Sequence, residues 1–373
     1  MSKRRSTKSR AAGAAARGGR SPSTRRRPSW WRRIPLRLAI GALLGGVSAV
    51  LLVLAWEVLP LPPAMRGATG TPRPAARIEA TGRLILPLNY NLSLVTLPSR
   101  SLQMIVPAGD RGVITSARWS PDGQQVAYTH FRPRGKEPIG SDIATVQVNS
   151  DAVSAPTTVV ERDRAGATFD SPVWTPDQRS LYVSYSAIEG NQPVERIEKV
   201  DIQTGSRVPV VNGRLPELSP DGTRLAFIRS DQSGDALWIA SADGANGREL
   251  LRPDGITVIG PARFSRDGKT IAIALSRPAD QAAEPSPRRP WAFFGTSVAL
   301  AHGNPWEIYL IDASGGPAQR LTRLQEDEIG ISWSPNGGQI AMFGLRGVHL
   351  IDTQGRATFA MDQGGFGGID WAP

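Results

Sequence analysis

A twelve-residue stretch, Ala117-Arg118-Trp119-Ser120-Pro121-Asp122-Gly123-Gln124-Gln125-Val126-Ala127-Tyr128, returns in imperfect copies as far as the C-terminus. The copies are PVWTPDQRSLYVSY from Pro172, PELSPDGTRLAFIR from Pro216, ARFSRDGKTIAIAL from Ala262 and ISWSPNGGQIAMFG from Ile331, with a shortened IDWAP from Ile369. A chain written in copies of one short unit folds as an array, because a single unit cannot bury its own apolar face.

Each copy reads as a hairpin. A strand ends in a large apolar residue (Trp119, Trp174, Leu218, Phe264, Trp333, and Trp371 in the short copy), meets Ser/Thr-Pro-Asp-Gly, and is followed by a second apolar strand. Proline presets φ for the first turn position, aspartate binds backbone donors two residues on, and glycine accepts positive φ. The turn carboxylates are Asp122, Asp177, Asp221 and Asp267, and the turn glycines include Gly123, Gly222 and Gly268. Gln178 stands for Gly in the second copy, Arg266 for Pro in the fourth and Asn336 for Asp in the fifth. Each departure keeps the other turn residues, so the turn is expected to survive. The repeated acids could be taken for a calcium ring, but their place in the turns accounts for them.

After each hairpin comes a third run that alternates apolar and polar, such as ALWIASADG or EIYLIDASGG, and then a shorter, more polar fourth. Four antiparallel strands with the innermost most apolar form the blade of a β-propeller. Five copies give five blades. The C-terminal IDWAP supplies only an innermost strand, and RLILPL from Arg83, NLSLVTL from Asn91 and LQMIVPA from Leu102 supply three more. The expected fold is therefore all-β, a six-bladed propeller of four-stranded antiparallel blades. One C-terminal and three N-terminal strands share its closing blade, which leaves no open edge.

The Ser-Pro-Asp-Gly hairpin followed by an Ala-Phe/Tyr strand resembles the WD40-like propeller repeats of TolB-type bacterial proteins, over residues 83–373. The resemblance implies the six-bladed fold. That family includes binding partners of envelope proteins and also propellers that precede serine-peptidase domains. In place of the separate domain that precedes the propeller in TolB, this sequence predicts a membrane helix.

That helix is read from charge placement. The formal net charge is +11, but residues 1–37 hold thirteen Lys or Arg and no acid, leaving 31 basic against 33 acidic side chains. Residues 1–33 have no apolar periodicity and read as a disordered basic tail. Within 34–59, Leu38 to Trp56 is nineteen residues without a charge, enough to span a hydrocarbon core of about 30 Å once flanks are counted. Trp30, Trp31 and Trp56 flank it as interfacial anchors, and its length and basic flank suit a transmembrane helix better than a cleaved signal peptide. The basic side sets the tail in the cytoplasm and the propeller outside. Residues 60–82, with five prolines, form a semi-extended linker.

The chemistry that the sequence excludes is as informative. The absence of cysteine removes disulfides, thiolate metal sites and cysteine nucleophiles. No Gly-x-Ser-x-Gly elbow occurs. His130, His302 and His349 fall in different blades without metal-ligand spacing, and no glycine-rich phosphate loop opens a helix. No catalytic residue, metal or cofactor is expected. The tail suits anionic lipid rather than specific nucleic acid, which needs an ordered reading element.

The sharpest break in the repeat is Arg277 to Asn304, between the second and third strands of the fourth blade, where Arg288 and Arg289 adjoin Trp291, Phe293 and Phe294. Aromatics beside arginine suit a partner-binding loop, and equally a cover folded on the rim. This loop, HFRPRGKEPIGS from His130 and SAIEGNQPVE from Ser186 share one face. The expected function is a non-enzymatic single-pass membrane protein that binds an envelope protein, peptide or glycan on that face. The alternatives are a sensor or accessory subunit signalling through the tail, and a propeller lyase or hydrolase acting at the central opening.

Overall fold

The computed structural model describes residues 79–149, 152–254, 257–277 and 305–372. The expected tail, the membrane span and most of the linker lie outside the described residues, as do Arg288, Arg289, Trp291, Phe293, Phe294 and His302. Among the described residues no helix is long and apolar enough to cross a membrane.

The described strands form six four-stranded antiparallel sheets. Blade one is β4 (Val113–Trp119), β5 (Gln125–Arg132), β6 (Gly140–Gln147) and β7 (Thr157–Val160). Blade two is β8 (Thr168–Trp174), β9 (Ser180–Glu189), β10 (Gln192–Asp201) and β11 (Arg207–Asn212). Blade three is β12 (Arg214–Leu218), β13 (Arg224–Asp231), β14 (Gly234–Ser241) and β15 (Arg248–Leu251). Blade four is β16 (Val258–Phe264), β17 (Thr270–Ser276), β18 (Trp306–Asp312) and β19 (Gln319–Arg320), and blade five is β20 (Gly330–Trp333), β21 (Gln339–Gly344), β22 (Gly347–Asp352) and β23 (Ala357–Met361). Blade six joins β24 (Asp370–Ala372) to β1 (Gly82–Leu88), β2 (Asn91–Leu97) and β3 (Ser101–Val106). The register Arg83↔Ala372, Leu84↔Trp371, Ile85↔Asp370 closes the ring. The expected propeller and its shared blade are what the structure shows.

The turn chemistry makes the hairpins. Ser120 Oγ donates to Asp122 Oδ1 at 2.5 Å, the same carboxylate accepts Gln124 N–H at 3.0 Å, and Gln125 N–H donates to Ser120 Oγ at 2.9 Å. Gly123 sits at φ 68°. The pattern repeats at Asp177, Asp221 and Asp267, and Asn336 substitutes its amide oxygen for the carboxylate. Gln178 adopts φ 60° without the freedom of glycine, so the turn geometry is dictated by the hydroxyl and the carboxylate rather than by glycine alone. Hydrogen bonds from Ser219, and from Thr223 N–H and hydroxyl, hold the Asp221 carboxyl down at about 2.

The apolar core is divided among the blade interfaces. Trp174 packs with Ala127 and Ile143 of blade one, Leu218 with Val173 and Tyr182 of blade two, Phe264 with Ala226 and Ile228 of blade three. Trp333 packs with Ala272 and Ile308 of blade four, Trp371 with Phe343 and Val348 of blade five, and Trp119 with Ile85 and Ala372 of blade six. Every large residue at the end of an innermost strand is thus a wedge against the preceding blade. Burying each contributes about 1.5–3 kcal/mol.

Two faces follow from the connectivity. The Ser-Pro-Asp-Gly turns join first to second strands on one face. The second-to-third loops and the blade-to-blade connections lie on the other, called here the loop face. β17 ends and β18 begins on the loop face. The chain reaches β1 on the turn face, where Arg83 Nη2 donates to the Gly123 oxygen at 2.7 Å and Trp371 Nε1 to the Thr81 oxygen at 3.1 Å.

Candidate functional site

Aligning the innermost strands on their wedge residues places one side chain per blade, just before the wedge, on the propeller axis: Arg118, Val173, Glu217, Arg263, Ser332 and Asp370. Period-two alternation turns the wedge into the blade interface and its predecessor to the opposite side. Ion contacts among these side chains, one of them between blades that are not neighbours, confirm the placement. Arg118 of blade one ion-pairs with Glu217 of blade three, and its Nη1 lies 3.5 Å from Asp370 Oδ1 of blade six. Arg263 Nη1 of blade four lies 3.5 Å from Glu217 Oε2.

The two carboxylates are unequally held. Asp370 Oδ2 accepts Trp119 N–H at 2.9 Å and its Oδ1 accepts Ser332 Oγ–H at 2.8 Å. Burial alone would raise its carboxyl, but Arg118, Arg263 and these hydrogen bonds hold it below the ordinary aspartate value. The two guanidiniums differ too. Burial opposes the charge of Arg118, yet Glu217 and Asp370 raise it above the ordinary arginine value. Arg263 is pushed down to about 10 by burial and by repulsion from Arg118. Its Nη1 also donates to its own main-chain neighbour, the Ala262 oxygen, at 3.2 Å, while its Nε is buried without a partner.

The charged level lies at the turn-face ends of the innermost strands. Beyond it Arg266, the residue standing where other copies have proline, donates from Nη2 to the Trp371 oxygen at 3.0 Å and from Nε to the Ser334 oxygen at 3.3 Å. One step toward the loop face five of the six equivalent positions, Ser116, Ser171, Leu215, Pro261 and Gly368, are half-buried, and the sixth, Gly330, is buried. The axis is therefore filled at its turn end and less crowded toward the loop face. Just there Ser116 Oγ donates to Asp170 Oδ1 at 2.5 Å, which turns that carboxylate toward blade one.

Around the loop face the charges are largely paired. Asp142 is 1 % exposed and receives Arg132 Nε at 2.8 Å and Arg134 Nη2 at 3.1 Å. Glu326 is also 1 % exposed, but its Oε1 has no hydrogen-bond partner and Arg346 Nε stands 3.8 Å away. Burial pushes the Glu326 carboxyl up, and the neighbouring Glu328 is raised by burial and by Asp327. The large exposed apolar side chains fall in two groups among the described residues. Tyr90, Ile188, Val258 and Leu345 rise from the loop face, while Leu102, Met104, Val208 and Phe359 lie on outermost strands. None lies in a turn-face connection.

The sequence-expected repeat residues all take hairpin-turn or wedge positions, and the aromatic-arginine cluster lies outside the described residues. His130 Nε2 is 2.9 Å from the Ala108 oxygen, and His349 packs edge-on to Phe359. Among the described residues no group of three potential ligands is placed to hold a metal. The axial ion network was not anticipated from sequence. Its signal was the position before each wedge, which carries Arg, Glu, Arg and Asp in four of six copies.

No protein-family model matches the chain. It is 28% identical over 186 residues to the "uncharacterized peptidase YuxL" of Bacillus subtilis, covering 44% of this chain and 28% of that protein. It is 35% identical over 89 residues to the Tol-Pal system protein TolB of Anaeromyxobacter dehalogenans, covering 24% of this chain and 20% of that one. The chain thus spans less than a third of either relative. Among solved structures, TolB from Acinetobacter baumannii superposes with a TM-score of 0.53 at 20% identity, over 78% of this chain and 67% of that one. The described residues form a six-bladed β-propeller, a fold shared with TolB from Acinetobacter baumannii.

Proposed function

We propose that the chain is a non-enzymatic, single-pass membrane protein whose propeller, held outside the membrane, binds a protein, peptide or glycan on its loop face. The observation that carries this reading is the distribution of exposed apolar side chains. Tyr90, Ile188, Val258 and Leu345 come from four different blades to the loop face, whereas the turn-face connections carry none among the described residues. The chain also arrives on the turn face, at Thr81 and Arg83, opposite the loop face. Large apolar side chains ringed by charged ones suit recognition. The axial carboxylates and guanidiniums are engaged with each other rather than set out as an acid and base pair. The membrane placement rests on the uncharged run from Leu38 to Trp56 and on the basic residues before it.

The test is site-specific photo-crosslinking in cells with the full chain. A photoreactive residue at Ile188 or Leu345 is expected to capture one discrete partner, and the same residue at Gln124 on the turn face to capture none. Capture confined to Gln124, or surviving with residues 1–33 alone, would overturn the reading. Protease added to intact cells is expected to cut the propeller and spare the tail.

A further inference from the structure

We propose that the propeller axis is a carboxylate-binding site centred on Arg263. Four ionised side chains meet there, but they are not shared evenly. Arg118 takes both Glu217 and Asp370, and both carboxylates take further donors or lie against Arg118. Arg263 is left with a 3.5 Å approach to Glu217 and a bond to the Ala262 oxygen, both through Nη1. Its Nε is buried with no partner, and its Nη2 donates to no group among the described residues.

Nε and Nη2 form one edge of the guanidinium, two parallel N–H donors in a plane. That fork matches the two oxygens of a carboxylate. A buried donor such as Nε without an acceptor is expensive to keep, and a guanidinium repelled by a second one gains from an added anion. Arg266 adds a further positive charge at the turn end of the axis while bonded only to main-chain oxygens, so the three arginines face two acids. Another acid toward the loop face, Asp170, is engaged by Ser116 and Ser171. The ligand enters from the loop face, past the half-buried level of Ser116, Leu215 and Pro261. In that respect the inference rests on the proposed reading of the loop face as the binding side. A partner would present either a chain terminus or an acidic side chain.

The experiment is calorimetric titration of the full chain with acetyl-trialanine bearing a free carboxylate, with its C-terminal amide, with acetyl-Ala-Glu-Ala-amide and with inorganic phosphate. At least one of the two carboxylate peptides is expected to bind, and which one does identifies the source of the carboxylate. The uncharged amide is expected not to bind, and phosphate to bind more weakly. Arg263→Gln is expected to weaken binding at least tenfold, and Arg263→Lys nearly as much, because an ammonium has no fork. Should Arg263→Gln fail to fold, phenylglyoxal modification of the unaltered protein gives the same answer. The carboxylate peptide should slow modification of Arg263 but not of the exposed Arg356. Equal binding of acid and amide, tighter binding of phosphate, unchanged affinity in a folded Arg263→Gln, or no protection of Arg263 would each overturn the proposal. Photo-capture of a partner at Ile188 does not depend on any of these outcomes, so the two readings fail separately.

Discussion

Arg266 Nη2 donates to the main-chain oxygen of Trp371 at 3.0 Å, so a turn residue of blade four holds the strand that closes blade six. The same side chain reaches the Ser334 and Trp333 oxygens of blade five. Arg266→Pro restores the residue found in most copies and keeps the turn, yet it removes all three bonds. It is expected to lower stability by about 1.5–3 kcal/mol, the scale of hydrogen bonds from a charged donor. Exchange of the Trp371 and Ala372 amides should accelerate more than exchange within blade two. Unchanged protection at Trp371 would show that the latch does not hold the closing strand.

Breaking the axial network from one side should cost more than removing a matched pair. Arg118→Met leaves Glu217 and Asp370 buried with only Arg263 to share, and a loss of roughly 3–5 kcal/mol is expected. In the double variant with Glu217→Met, Arg263 and Asp370 remain as one pair, and part of that loss should return. The pH dependence has a defined sign. Asp370 is held below its ordinary value, so its contribution is complete above the unfolded aspartate value, near pH 4. It disappears as the pH falls through the lower folded value. Denaturant unfolding between pH 2 and 7 measures both effects.

The fold was legible because its determinants are local. Trp119, Asp122 and Gly123 act within one turn and one strand, and their repetition gives the register from which the shared blade follows. The axis was not legible, because Arg118, Glu217 and Asp370 meet only after the ring closes, across separations that no short motif spans. Arg266 shows the same limit. As a turn residue it is a tolerated departure from proline, and its bonds to Trp371 and Ser334 exist only because blades five and six come back to it. Arg83 and Arg224 were missed for a related reason. They occupy equivalent strand starts, and each donates at 2.7 Å to the turn glycine of the next blade, Gly123 and Gly268. Each also stacks on the next wedge, Trp119 and Phe264. An arginine in one copy finds its partner in another.

Glu326 should be a net cost to the fold at neutral pH. Its carboxyl is raised by burial and one oxygen has no partner. A raised acid favours the folded state below its unfolded value and loses that contribution as the pH rises through the folded value. Glu326→Gln is therefore expected to stabilise the propeller at pH 7 by about 1 kcal/mol, with the gain vanishing near pH 4. Melting temperatures of the two proteins across that range decide it, and a constant difference would show that ionisation is not the cause.

Trp119 and Trp174 occupy equivalent wedge positions, both 6 % exposed, yet their indole nitrogens differ. Trp174 Nε1 donates to the Arg118 oxygen at 3.2 Å, as Trp333 Nε1 does to the Arg263 oxygen at 3.1 Å. Trp119 Nε1 is buried with no partner. Replacing either by phenylalanine removes similar apolar area, so the area term nearly cancels in the comparison. What remains is the hydrogen bond: lost at Trp174, and absent from the start at Trp119, where an unsatisfied donor is removed. Trp174→Phe is expected to cost about 1–3 kcal/mol more than Trp119→Phe. Arg83 stacks on the Trp119 ring at 4.6 Å and can stack on phenylalanine as well, which leaves that difference in place. Parallel urea unfolding of the two variants measures it, and a Trp119→Phe cost as large as that of Trp174→Phe would mean that ring size, not the indole N–H, sets the strength of the wedge.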